Sequence, residues 1–296
     1  MPTELDFFRF IYKRQLIWYK RFILRNNPPW TSDPILKKYK IINMYRELDK
    51  CTIYIINKLN KTNDRKQILI NIIFYRFFNL CNIYEDLEIE PFLDIEELFD
   101  NKLIEKLTLL QKTRPIFNNA YIISSGGRGL KHENILNVLR KLNFDKIIEE
   151  LDNASSANES FEILTKIPMV GPFLACEIWT DLTYLNFFKQ KWNDNNFVNI
   201  GPGAKWGLEI LYGKLNKKNL NEKLELLYKL QYKMLSNIHI ELGEELTWKT
   251  IAYDNAYSNY PFLSITNIEG ALCEFRKYCR LSQGKGRRRY FKPLNS

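Results

Sequence analysis

Apolar residues recur at spacings of three and four along most of this chain, and that rhythm restricts the fold more than any other feature. Residues 4–25 carry Leu5, Phe8, Ile11, Ile17, Trp18, Phe22 and Ile23 with basic residues between them, the stripe of an amphipathic helix facing a core. The same period predicts a single helix over 34–60. It predicts others over 64–82, 95–112, 131–141, 143–152, 159–166, 172–185, 205–212, 220–237 and 267–280. Strand-like alternation is scarce; "AYIISS" (120–125) is its best and only brief instance. The breaks are "NNPPWTSDP" (26–34), where Asp33 before Pro34 reads as an N-cap, "NASSANES" (153–160) and "NDNNFVNIGPGAKWG" (193–207). The expectation is an all-α domain over 1–283, in two helical lobes of about 1–152 and 153–283 with a cleft between them. A basic tail, 284–296, follows and is expected to be partly ordered at best.

With 296 residues, 45% hydrophobic and 14% aromatic, the chain can bury a sizeable core. A net charge of +10 permits a polyanionic partner. Codon bias in an AT-rich genome also enriches Lys, Asn, Ile and Tyr, so charge alone names no partner. Five cysteines (51, 81, 176, 273, 279) form no C-x-x-C pair, and His132 and His239 stand far apart. That predicts no metal site and reduced thiols in an intracellular protein, in a nucleus or, for a viral protein, in the host cell. The N-terminal stretch acquires charge too early for a secretory leader, and no apolar run approaches the length of a membrane span.

Two stretches concentrate turn chemistry between apolar helices. "ILTKIPMVGPFLACEIW" (163–179) fits a helix–hairpin–helix pattern at Leu164, Ile167, Val170, Gly171 and Ala175, with Met169 where glycine is usual. In such a hairpin the amides opening the second helix face outward and hold a DNA phosphate without reading a base. Val170, Gly171 and Phe173 form that expected surface; an ordinary αα-hairpin is the equally weighted alternative. "VNIGPGAKWG" (198–207) sets Gly201, Gly203, Ala204 and Lys205 before another helix, as an anion nest or as a plain inter-helix loop. No G-x-x-x-x-G-K-[ST] occurs, "GGRGLK" (126–131) included, so the chain is not a self-contained nucleotide-dependent kinase.

Taken in order, "PPWTSDPILKKYKIINMYRELDK", "RPIFNNAYIIS", "IPMVGPFLACEIWTDLTY", "FVNIGPGAKWG" and "NIEGALCEFRKYCRLSQGKGRRR" resemble the helical domain associated with 5-hydroxymethyluracil DNA kinases. That domain belongs to the wider alpha-glutamyl/putrescinyl thymine pyrophosphorylase clade of bacterial viruses and some eukaryotes. The resemblance covers nearly the whole chain. It implies a helix–hairpin–helix DNA-glycosylase-like fold and a DNA-binding, base-flipping transferase that acts on hypermodified thymine. The expected reaction replaces an activated 5-methylene phosphate, made from 5-hydroxymethyluracil, with an amine or amino acid and needs no cofactor. DNA is the implied partner, beside a separate 5-hydroxymethyluracil DNA kinase or thymine-oxidising enzyme. A base-excision glycosylase and a non-catalytic DNA-binding module are the alternatives.

Glycosylases of this fold carry an aspartate about twenty residues past the hairpin. Here that window, 189–199, offers only Asp194, and Pro172 and Phe173 stand where a hairpin lysine is usual. For the transferase, Arg46 and Asp49 are candidate catalytic residues, with Lys50 one turn on from Arg46 and Arg14 as a further forked donor for phosphate, against the commoner role of a structural ion pair. Asp181 is a candidate general base or a helix-end hydrogen-bonder. Glu274 and Lys277 share a helical face with Tyr278, as a catalytic cluster or a surface ion pair. Trp30, Tyr121, Trp179 and Trp206 are candidate stacking partners for a flipped base, though each also suits a core. Arg287, Arg288 and Arg289 form a backbone clamp or a solvated tail.

Overall fold

The computed structural model describes residues 1–92, 95–119, 123–253 and 262–291. Its regular elements are helical, and an isolated antiparallel bridge between Tyr39 and Tyr290 is the one β pairing among the described residues. The chain forms two compact units, one from Met1–Asp49 with Ile200–Ser296 and one from Lys50–Asn199. The division expected near residue 152 thus falls inside the second unit, and the first is discontinuous in sequence.

The first unit opens with α1 (Glu4–Trp18), capped reciprocally by Thr3 and Asp6 and prolonged by a π-turn, Tyr19–Ile23. The single helix expected over 34–60 is instead three pieces. They are α2 (Pro34–Lys38), a 3₁₀ turn at Arg46–Leu48 and, in the second unit, α3 (Lys50–Leu59). Asp33 does cap α2, its Oδ1 accepting from the amides of Ile35 and Leu36. The segment after α2 leaves helical conformation because Tyr39 is extended and pairs with the tail.

The second unit continues with α4 (Arg65–Phe78), α5 (Ile83–Leu87), α6 (Asn101–Thr113), α7 (Lys131–Arg140) and α8 (Phe144–Asn153). It ends with α9 (Ala157–Thr165) and α10 (Pro172–Tyr184). Every residue of α4 from Ile68 to Phe78, Asn71 and Arg76 included, is buried, so this helix lies at the centre of its unit. Of the expected strand "AYIISS", residues 120–122, Tyr121 among them, lie outside the described residues; 123–125 are irregular.

The first unit resumes with α11 (Pro202–Tyr212), α12 (Lys217–Leu242), α13 (Trp248–Ile251) and α14 (Ile265–Ser282). Phe7 and Phe10 of α1 meet Phe275 of α14 at ring-centroid distances of 5.3 and 5.6 Å. Helices α11 and α14 approach so closely that a Cβ on Gly207 would lie 2.4 Å from the Leu272 carbonyl oxygen, and one on Gly203 2.7 Å from Cys273 Sγ. No described helix is long and apolar enough to cross a membrane.

Candidate functional site

In the first unit, the end of α1, the "NNPPW" turn and the start of the tail enclose a pocket of about 210 Å³. Trp18, Phe22, Trp30, Tyr39 and Phe291 supply rings to its wall; Arg14, Arg21 and Lys37 supply positive charge. Among the described residues that line it there is no carboxylate. The Pro28–Pro29 peptide is cis, and the Trp30 indole N–H donates to Asn26 O at 2.7 Å. Phe291 meets Trp30 edge-on at 5.8 Å. The Arg21 guanidinium lies 5.3 Å from both ring centres and 4.8 Å from that of Phe22, a geometry of cation–π attraction.

The pocket's inner cation is Arg14. Its Nε donates to Ile41 O at 3.0 Å and its Nη2 to Asn43 Oδ1 at 2.7 Å. Burial lowers its pKa to about 10; Glu274 opposes that shift and Arg21 adds to it. A guanidinium held among apolar rings, with a second one nearby, is a strong attractor for an anion.

Several residues singled out in the sequence form the wall behind this pocket. Glu274 accepts from the Ile42 amide at 3.0 Å and from Lys277 Nζ at 3.3 Å, while Lys277 also donates to Lys40 O at 2.5 Å. Tyr278 OH donates to Asp33 Oδ2 at 2.8 Å. Glu274 and Lys277 are thus paired, Tyr278 turns to Asp33 instead, and together these bonds fasten residues 33–42 to α14. The described part of the tail, 284–291, is bonded to the same segment: Lys40 N donates to Arg289 O at 2.8 Å and Phe291 N to Lys38 O at 3.0 Å. Tyr39 and Tyr290 stack across that bridge at 5.6 Å. Arg287 and Arg288 remain exposed.

The glycine-rich bend at 200–207 does hold an anion, but it belongs to the chain: Gly201 N donates to Glu269 Oε1 at 3.0 Å. Ala204 is fully buried, and Gly203 and Gly207 serve the close approach of α14. The phosphate nest expected from Gly201, Gly203 and Ala204 is thus occupied by helix packing. Lys205 stays on the surface, 4.0 Å from Glu209. Beside it the exposed Trp206 carries the Arg276 guanidinium 4.0 Å over its ring. Burial lowers the pKa of Arg276, with Arg280, one turn on, adding to the effect. Arg46 and Asp49 bracket the 3₁₀ turn: Arg46 N donates to Asn267 Oδ1, and Asp49 N to Arg46 O, both at 2.8 Å.

In the second unit the α9–α10 turn presents Gly171 and Phe173 to solvent while Val170 packs inward. No side chain caps the start of α10. Met169 takes the place of the pattern's first glycine in left-handed conformation, φ 66°, a strain on the order of 1 kcal/mol. Asp181 is not a solvent-facing base. It is fully buried and takes a two-pronged bond from Arg76, Nε to Oδ2 at 2.5 Å and Nη2 to Oδ1 at 2.6 Å. Asn79 and Thr52 accept from the same guanidinium at 2.8 and 3.0 Å. Trp179 is a core residue, its indole donating to Ser160 Oγ at 2.8 Å. Asp194 is buried beside Tyr184 OH at 3.4 Å. Among the described residues no cluster of His, Cys, Asp and Glu is placed to hold a metal ion.

Arg21, Lys37 and Phe291 were missed by pattern reading. Arg21 and Lys37 sit in stretches of surface-like basic residues, and Phe291 lies about 260 residues from Trp30 with no motif linking them.

With this geometry in view, the chain matches the family model of the 5-hmdU DNA kinase helical domain over residues 2–288. It is 25% identical over 288 residues to a 5-hmdU DNA kinase of Bacillus phage SP10, covering 90% of this chain and 43% of that protein. The chain therefore spans less than half the length of that relative. No solved structure matches it. An all-helical chain that follows the family model almost from end to end belongs to the 5-hmdU DNA kinase helical-domain family.

Proposed function

We propose that this chain binds DNA and acts on a base derived from 5-hydroxymethyluracil, exchanging an activated 5-methylene phosphate for an amine or amino acid. The observation that carries the reading is the make-up of the first unit's pocket: five aromatic residues and three cations, with no carboxylate among the described lining residues, in a chain of this family. A pyrimidine turned out of the duplex offers its π-face to a ring such as Trp30. A phosphate on its 5-methylene finds countercharge in Arg14, Arg21 and Lys37. In the exchange the methylene C–O bond breaks with its electron pair going to phosphate. A C–N bond forms, and the amine's proton passes to solvent. The chain's part is to stack the base and to stabilise the departing anion with charges already in place. Trp206 with Lys205, Arg276 and Arg280, the arginines at 287–289 and the exposed α9–α10 turn are the proposed contacts to the DNA backbone. The last of these would act as a helix–hairpin–helix phosphate site.

A second reading, a non-catalytic module that presents the base to a separate kinase, is favoured by one observation: Asp181 is committed to Arg76, and no carboxylate is among the described residues that line the pocket. The two separate in one experiment. DNA containing thymine, 5-hydroxymethyluracil or its phosphorylated form is incubated with the protein and an amine, digested to nucleosides and weighed. A mass change confined to the phosphorylated substrate, reduced at least tenfold in Arg21→Ala and Trp30→Ala at unchanged melting temperature, is the expected outcome. Free base released would assign a glycosylase, and tight binding with no mass change the module.

A further inference from the structure

Of the five cysteines, two meet. Cys51, the second residue of α3, and Cys81, three residues past the end of α4, bring their sulfurs to 3.2 Å. Both side chains are partly exposed, and both stand as thiols. A disulfide needs a sulfur–sulfur distance of about 2 Å, so closure asks each sulfur to move by roughly half an ångström, within reach of a small χ1 rotation. Cys51 sits in the first turn of a ten-residue helix. Two of the other cysteines are held as thiols by burial, which raises the pKa of Cys279 to about 11 and pushes that of Cys273 higher.

The surroundings give the pair a structural lever. Cys51 Sγ lies 3.6 Å from the carbonyl of Asn79, the left-handed residue that ends α4, and that carbonyl also accepts from Asn118 Nδ2 at 3.0 Å. The Cys51 carbonyl accepts from Tyr75 OH at 2.9 Å. Thr52 and Asn79, neighbours of the two sulfurs, are both ligands of the buried Arg76 guanidinium. A covalent link here would fix the start of α3 to the end of α4 beside the ion pair at the centre of the unit.

We propose that Cys51 and Cys81 are a dithiol modification site that closes to a disulfide on exchange with a small-molecule disulfide. The Cys51 thiolate attacks one sulfur of the oxidant, breaking its S–S bond and releasing one small thiolate. The Cys81 thiolate then attacks Cys51 Sγ and displaces the second. Two electrons and two protons pass from the protein to the small molecule, which leaves as two thiols, and the Cys51–Cys81 bond is the only one gained by the protein. The loop it closes spans α3 and α4, so the oxidised unit gains less disorder on unfolding and resists heat better than the reduced one.

The test uses the full chain, first reduced and then equilibrated with oxidised glutathione over a series of redox ratios. Intact mass is expected to fall by two hydrogens, and non-reducing peptide mapping to join the Cys51 and Cys81 peptides. Melting is expected to rise by about 5 °C or more. Cys51→Ser and Cys81→Ser should each abolish the link, while Cys176→Ser leaves it intact. A stable glutathione adduct on either cysteine, a link through another cysteine, or no reaction at ratios that oxidise a free dithiol peptide would each overturn the assignment. The wild-type mapping decides the question even if a serine variant folds poorly.

Discussion

At Asp181 the chemistry a carboxylate can perform is settled by what its two oxygens already hold. Both accept from Arg76, which in turn reaches Thr52 and Asn79, and neither partner touches solvent. Replacing Asp181 by Asn removes the two-pronged partner of a buried guanidinium and leaves Glu177, 3.5 Å from Arg76 Nη1, as its remaining countercharge, a loss of about 3 kcal/mol. Calorimetry should show the transition of the second unit lowered by about 10 °C. A catalytic base would behave differently, with turnover lost at an unchanged melting temperature. The residue type and helical position were readable, but its partner was not. Arg76 lies 105 residues earlier in an otherwise apolar helix, and no spacing rule connects them. Glu274, Lys277 and Tyr278 were legible as a cluster because three- and four-residue steps share a helix face. Their partners, Ile42, Lys40 and Asp33, come from a segment that the same periodicity read as continuous helix.

Helices were the most legible level. Apolar spacing located α4, α7 to α10 and α14 to within a few residues, because each buries a stripe whose period survives in the sequence, while α6 starts six residues later than expected, after a 3₁₀ turn at Glu96–Phe99. It failed between residues 39 and 49, where the helical rhythm persists but Tyr39 is drawn into a bridge with Tyr290. Turn glycines were read for their freedom of conformation, and at 203 and 207 they matter instead for what they lack. Gly207→Ala should destabilise the first unit by about 1–3 kcal/mol, since its Cβ would meet backbone at 2.4 Å and α14 would have to shift. Gly171→Ala is the control. At φ −79°, with no atom within 4 Å of its added carbon, it should leave the denaturation midpoint within about 0.5 kcal/mol of wild type. Equal losses at both positions in urea titrations would contradict the packing role of Gly207.

For the molecule as a whole, the proposed DNA binding by a chain of charge +10 predicts an affinity that falls steeply with salt. Replacing Arg287, Arg288 and Arg289 together by Ala should reduce the slope of log affinity against log salt by about 2–3, read by fluorescence anisotropy on duplex DNA. The backbone bonds of residues 289 and 291 to 38–40 are independent of those side chains, so folding should be preserved. An unchanged slope would remove the tail from the interface.

The discontinuity of the first unit bears on its synthesis. Phe7, Phe8, Phe10 and Ile11 leave the ribosome well ahead of Phe275, against which two of them pack and which is made more than 260 residues later. All of Lys50–Asn199 emerges in the interval and can complete its own core. Over that interval the nascent chain carries a finished globule preceded by an unsatisfied, sticky segment. The need for a chaperone is greatest in that waiting period, which closes when α14 is released.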